Sequence, residues 1–249
     1  MAELLERTED RLLGGRVRLA QPASGYRAAI DPVLLAAATV ADEGELVLDA
    51  GCGAGAATLC LAARRPGCRI TGLELQADIA DLARDNVRAN GFEATVEIVT
   101  GDLAMAPPAV RGTTFDAVMT NPPFLAETQG TVPATAGRRA AHVESLPLPA
   151  WLAACLRRLR PGGWLSVVHR ADRLPTLLAA LDGEAGDIAV LPLWARADAG
   201  EAKRVIVRAR KGAKGPARLL RGLVLHEADG RYTAAAEAVL RLGEPLETG

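Results

Sequence analysis

The stretch that most constrains this chain is a short apolar strand running straight into three alternating glycines. Leu46-Val47-Leu48-Asp49-Ala50 reads as a buried strand, Gly51-Cys52-Gly53-Ala54-Gly55 as a tight turn, and Ala56 to Arg64 as a helix. The alternation continues downstream. Arg69 to Glu74 predicts a second strand, Ala77 to Asn90 a helix ended by Gly91, Ala94 to Thr100 a third strand and Phe115 to Thr120 a fourth. Pro149 to Arg160 predicts a helix stopped at Pro161-Gly162-Gly163, followed by a strand over Trp164 to His169 and a helix over Arg173 to Leu181. Ile188 to Trp194 and Lys203 to Arg210 predict an antiparallel hairpin, and Leu223 to His226 and Thr233 to Leu242 a final strand and capping helix. Upstream, Asp31-Pro32 opens a helix, the acid capping free N–H groups and the proline fitting the first turn.

Strands alternating with helices predict an α/β, Rossmann-like fold: a mostly parallel, seven-stranded sheet with helices on both faces and an antiparallel C-terminal hairpin. One domain is expected, with an N-terminal segment over 1–45, a core sheet over 46–210 and an appendage over 211–249. Right-handed crossovers place the loops after Ala50, Glu74, Thr100 and Thr120 along one carboxyl edge, where such sheets bind ligands.

Composition excludes several classes. At 49% hydrophobic and 24% charged residues, the chain is neither disordered nor collagen-like. It has no run of about 18 uncharged apolar residues, so no membrane span is expected. The charged stretch Met1 to Asp10 does not read as a secretory signal. Cys52, Cys60, Cys68 and Cys155 form no C-x-x-C pair and the three histidines are scattered, so no metal site is expected and the thiols read as reduced and cytoplasmic. Net charge is −1, yet Ala202 to His226 contains no acid and carries eight cations from Lys203 to Arg221. A charge cluster alone reads as solvated surface; a basic stripe on a neutral protein also suits a polyanionic partner.

The chemistry lies in the four loops. Glycines at 51, 53 and 55 let backbone approach a ligand closely, and Gly51, Gly53 and Ala56 also fit a dinucleotide pattern. Glu74, 23 residues after Gly51, suits ribose hydroxyls in either a dinucleotide or another adenosine-bearing ligand. Asp49 separates the two: an acid here can bind an amino group but gains nothing beside a pyrophosphate. Asp102, in Gly101-Asp102-Leu103, could accept from an adenine amino group. Asn121-Pro122-Pro123-Phe124 is the most specific signal. Its prolines fix the backbone, so the Asn121 amide oxygen and the Pro122 carbonyl can converge on a planar exocyclic amine while Phe124 offers a stacking face. Cys52 reads as a small filler and not a nucleophile.

Together, Asp49-x-Gly51-x-Gly53-x-Gly55, Glu74, Asp102 and Asn121-Pro122-Pro123-Phe124 resemble a class I S-adenosylmethionine-dependent methyltransferase acting on an amino nitrogen. Leu13-Gly14-Gly15-Arg16, Gln21-Pro22, Gly25-Tyr26-Arg27, Asp31 and Leu34-Leu35-Ala36 are similar to the tRNA(Val) adenine-N6 methyltransferase family, which modifies the adenine just 3′ of the anticodon. Phe124 stands where many members have Tyr. The resemblance implies S-adenosylmethionine as cofactor and tRNA, or another RNA, as partner. It implies that the N-terminal segment covers the cofactor through Tyr26, Arg27 and Asp31. Cys52, Leu75, Leu103 and Asn121 join the expected cofactor pocket; Asn121, Pro122 and Phe124 hold the substrate amine; Arg138, Arg139, Lys203 and Arg204 hold phosphates. The same tetrapeptide serves rRNA guanine-N2 and release-factor glutamine-N5 methyltransferases, which stay as alternatives, with a dinucleotide oxidoreductase behind them.

Overall fold

The computed structural model describes residues 6–23, 29–123 and 146–246. An N-terminal ribbon pairs β1 (Arg7–Leu12) with β2 (Val17–Pro22), joined through a short 3-10 turn over Leu13–Gly15. Alternation of Val17, Leu19 and Gln21 with more exposed neighbours buries one face of β2, and Gly14-Gly15 lets the chain reverse. The helix α1 (Asp31–Ala38) is buried along Pro32 to Ala38, consistent with its apolar residues on every face. Its acid does not cap: Ile30 holds the N-cap position, and the Asp31 carboxylate turns away to Arg204.

The main sheet follows with β3 (Leu46–Ala50), α2 (Ala56–Arg64), β4 (Arg69–Glu74), α3 (Ala77–Asn90), β5 (Val96–Thr100), α4 (Pro108–Arg111) and β6 (Phe115–Thr120). It continues with α5 (Leu148–Arg158), β7 (Leu159–Arg170), α6 (Leu174–Leu181), β8 (Ala185–Arg196), β9 (Arg204–Lys211), β10 (Arg218–Leu219), β11 (Leu223–His226) and α7 (Ala234–Glu237). Gly91 ends α3 at φ 71°, as its position predicts.

Strand order is β10-β8-β9-β7-β6-β3-β4-β5, with β11 also on β8. β3 to β7 are mutually parallel, while β9 lies antiparallel between β7 and β8. The doubly wound sheet and the antiparallel hairpin are therefore as predicted, but the sheet has nine strands, not seven. The extra pair is β10 and β11, both docked parallel on β8: β11 is the final strand expected over Leu223 to His226, while the two-residue β10 is too short to show periodicity. β7 also begins earlier than Pro161-Gly162-Gly163 suggests: the pairing with β6 shifts between Phe115 and Ala117, and the proline and glycines sit in that irregular stretch.

Helices cover both faces. Leu34, Leu35, Leu59, Ala83 and Val87 pack on one face with Leu19 of the ribbon and Leu246 near the chain's end. Val110, Leu152, Leu156, Leu177 and Leu181 pack on the other.

Candidate active site

Pairing across the last rungs of the sheet brings the four expected loops together. Ala50 is the register partner of both Leu73 and Thr120, and Glu74 is that of Thr100. Neighbouring strands lie about 4.8 Å apart, so the turn after Ala50 and Asn121 after Thr120 start side by side. The chain runs outward from β3 through β4 to β5 and then returns to place β6 on the other side of β3, which makes this the switch point of the sheet.

The glycine turn is held from beneath. The N–H groups of Gly51 and Cys52 both donate to the Leu73 carbonyl, at 2.8 and 3.0 Å. Gly51 takes φ 75°, and a Cβ there would stand 3.0 Å from the Trp151 ring, so no other residue fits easily. Cys52 does act as filler. Its sulfur enters the hollow left by Gly72, whose Cβ would lie 2.9 Å from it. Burial, then the Asp49 and Glu74 carboxylates, push this thiol well above its ordinary value, which keeps it neutral and unreactive.

Both carboxylates are buried, Asp49 at 2% and Glu74 at 7% exposure. Glu74 accepts from the Gly53 N–H at 3.0 Å with one oxygen and from the Gln76 N–H at 2.9 Å with the other. A carboxylate offers about four acceptor positions, so two remain for hydroxyl groups. Asp49 accepts a 2.6 Å bond from the Thr58 hydroxyl of α2. Burial lifts its pKa to about 7; the Thr58 bonds pull it down and the Glu74 charge adds to the rise. A buried acid raised in this way gains strongly from a cation brought beside it. The donor set therefore fits a ligand carrying an ammonium group and vicinal hydroxyls.

The remaining residues divide. Asp102 accepts from the Ala104 N–H at 2.8 Å in a side-chain turn. Leu75 is 42% exposed and presents apolar surface at the end of β4, whereas Leu103 is buried in the core beneath β5. Asn121 is half-buried, Pro122 buried and Pro123 exposed. Asp31 accepts from the Arg204 guanidinium at 3.0 Å, tying α1 to the start of β9. Tyr26, Arg27, Phe124, Arg138 and Arg139 lie outside the described residues.

The basic stretch is not one patch. Because β9 runs antiparallel to β7, Lys203 and Arg204 lie at the carboxyl edge, where with Arg170 and Asp172 they line an open cleft. Lys203 is paired with Glu201, and Arg170 with Asp172. Further along, Arg208 and Arg210 lie over the Trp164 ring at 4.9 and 5.8 Å, and Lys211 donates to the Leu159 carbonyl at 2.7 Å. Eight strand residues at about 3.4 Å each separate the two ends.

Sequence reasoning passes over three side chains that build the site. Thr58 holds Asp49. Trp151 donates from its indole N–H to the Thr120 hydroxyl at 2.9 Å, and that hydroxyl donates to the Ala50 carbonyl at 2.8 Å. Asn86 donates to the carbonyls of Ala20 and Ala54 at 2.8 and 2.9 Å and accepts from the Ala20 N–H at 2.8 Å, joining the ribbon to the glycine turn. Only Asn86 leaves a signal, as an amide on the buried stripe of α3 with Ala83 and Val87.

A doubly wound sheet with a glycine turn, two buried carboxylates and Asn-Pro-Pro at its switch point defines a class I methyltransferase, for which S-adenosylmethionine is the methyl donor. Residues 30–185 match the model of the methyltransferase small domain. A tRNA1(Val) (adenine(37)-N6)-methyltransferase of Aeromonas hydrophila is 32% identical over 209 residues, 82% of this chain and 84% of that one. The chain belongs to the methyltransferase small-domain family and, within it, to the family of these tRNA1(Val) enzymes. A release factor glutamine methyltransferase of Chlorobaculum tepidum is 30% identical, over 62% of this chain and 55% of that one. A crystal structure described as a predicted O-methyltransferase from Agrobacterium tumefaciens shares the fold, with a TM-score of 0.71, 24% identity, and coverage of 87% of this chain and 98% of that chain.

Proposed function

We propose that this enzyme methylates the exocyclic amine of an unpaired adenine in tRNA, the one immediately 3′ of the anticodon. The observation that carries the reading is the rung on which Ala50 pairs with Thr120, which sets the glycine turn and Asn121 side by side. Similarity over 82% of this chain to a tRNA1(Val) (adenine(37)-N6)-methyltransferase supports the same substrate. A tRNA substrate fits a cytoplasmic enzyme; no helix among the described residues is long and apolar enough to cross a membrane.

S-adenosylmethionine supplies an electrophilic methyl group on a sulfonium. The rest is the protein's work. Asp49 holds the ammonium of the donor's amino-acid portion, Glu74 its ribose hydroxyls and Asp102 its adenine amino group, with Leu75 as an apolar flank. Tyr26, Arg27 and Asp31 enclose that portion of the site. Asn121 and the Pro122 carbonyl would accept from the two N–H bonds of the substrate amine and draw its lone pair out of the ring plane. Phe124 stacks on the base, worth about 1–3 kcal/mol. Transfer then needs positioning more than acid–base chemistry, and the surplus proton leaves to water. An anticodon-loop adenine is already unpaired, so splaying it out costs less than flipping a duplex base. Arg170, Lys203 and Arg204 form the near-site phosphate surface, and Arg138 and Arg139 are further candidates for phosphate contact.

Nucleoside mass spectrometry tests the reading. RNA from cells lacking the gene should lose N6-methyladenosine from one tRNA, and purified protein with S-adenosylmethionine should restore it. An intact tRNA modification together with unmethylated glutamine in a release factor would transfer the reading to the protein substrate.

A further inference from the structure

The structure assigns Trp151 a role beyond core packing: we propose that it is a positioning residue, setting the spacing between the methyl-donor turn and the Asn121 cradle. The inference rests on the reading above, which puts donor and acceptor at those two places. Thr120 immediately precedes Asn121, and Ala50 immediately precedes Gly51. Trp151, reaching over from α5, donates to the Thr120 hydroxyl at 2.9 Å, and that hydroxyl donates onward to the Ala50 carbonyl at 2.8 Å. The second bond crosses the last rung that joins β3 to β6, and the first braces it from α5. The same indole also stands over Gly51, with two ring carbons at 3.0 and 3.1 Å from the place a Cβ would occupy.

A tryptophan that merely filled space would not need both contacts. This one touches the donor turn with its ring and the residue before the cradle with its N–H. Thr120 is fully buried, so water does not replace either bond when the other partner is lost. The register of β3 and β6 fixes the two loops along the strand axis but leaves their ends free to splay. A bolt across the final rung removes that freedom, at the point where a misplacement of about 1 Å costs on the order of 100-fold in rate.

Trp151→Phe deletes the N–H together with the outer-ring carbons that stand over Gly51, so Thr120→Val is the cleaner break. Thr120→Val keeps the side-chain shape and deletes the hydroxyl, and Thr120→Ser restores it. Trp151→Phe and Thr120→Val should each lower kcat about 10- to 100-fold. Calorimetric affinity for S-adenosylmethionine should stay within about threefold, and Tm within about 4 °C. The double variant should be no slower than the slower single one, because both remove one link; Thr120→Ser should stand close to wild type. In protein without donor, the Trp151 indole proton should exchange slowly with solvent, and Thr120→Val should speed its exchange. Unchanged kcat, additive losses, a loss of rate matched by donor affinity or Tm, or fast indole exchange in the wild type would each overturn the proposal. Wild-type protein that methylates no RNA would instead remove the proposed acceptor, and the exchange measurement would still decide whether the bolt exists.

Discussion

On the β4–β5 side of the glycine turn, polar side chains are turned inward and bonded to short, nearby partners. Asp49 meets Thr58, Glu74 meets the backbone of Gly53 and Gln76, and Asn86 meets Ala20 and Ala54. On the β7–β9 side, the groups at the edge are long cations paired with exposed acids: Lys203 with Glu201, Arg170 with Asp172. Buried carboxylates with fixed partners make a site formed before its ligand arrives, so little ordering is left to oppose binding. Exposed ion pairs contribute about 0–1 kcal/mol each and are screened by salt. A polyanion can exchange Glu201 and Asp172 for its own phosphates at little cost. On the proposed function, one flank suits a small molecule of fixed shape and the other a charged surface that arrives in many poses.

The sharpest way to break this contrast lies on the strand between the flanks. Asn121→Ala should lower kcat about 100- to 1,000-fold, the range for deleting one preorganised polar group at a reacting centre, with donor affinity within about threefold. Retained transfer in a radiolabelled methyl assay would remove the cradle from the account.

A smaller effect separates the carboxylates from the cations. Asp49→Asn should weaken donor binding about 10- to 100-fold at pH 8, the scale of one charge-assisted bond. Its pH dependence has a definite sign. With a folded pKa of about 7 against an ordinary 3.8, folded protein keeps a proton that the unfolded chain releases between those values. Donor-free stability should therefore fall as pH rises from about 4 to 7 and level off above. Donor affinity should climb over the approach to pH 7, because the ionised acid is the form that holds an ammonium. Asp49→Asn should flatten both slopes, measured by thermal melts and by titration calorimetry. An unchanged profile would place the titrating group elsewhere.

The smallest effect belongs to the β9 end. Lys203→Ala and Arg204→Ala should each weaken RNA binding about 3- to 5-fold at moderate salt and lower the salt slope by roughly one. Donor affinity should not move. A slope equal to wild type would mean these cations serve Glu201 and Asp31 alone.

The flanks also differ in how far residue order discloses them. The donor side is readable because backbone geometry forces residue choice: Gly51, Gly53 and Gly55 take positive φ, and Asp49 and Glu74 stand at strand ends that periodicity locates. Elements β3, α2, β4, α3 and β6 accordingly fall where the pattern puts them. The other side is harder because its logic is long-range. The antiparallel hairpin is legible, but nothing in Lys203 to Arg221 announces that its second strand carries Arg208 and Arg210 away from the site and onto Trp164. Strand β10 owes its pairing to β8, not to its own two residues. Trp151 and Thr120 are 31 residues apart, and an indole hydrogen bond of that span has no local signature.

The amide of Asn86 carries a practical consequence for anyone who reshapes this chain. Its nitrogen serves Ala20 and Ala54 together, so the ribbon and the turn share a single fastening. Trimming the ribbon away, however peripheral it looks, would strand two of the three bonds that group makes to Ala20 and Ala54 and unsettle residues more than thirty positions downstream. Amide-exchange protection at Ala20 should for the same reason report whether the donor turn is loaded, a readout placed well away from the chemistry.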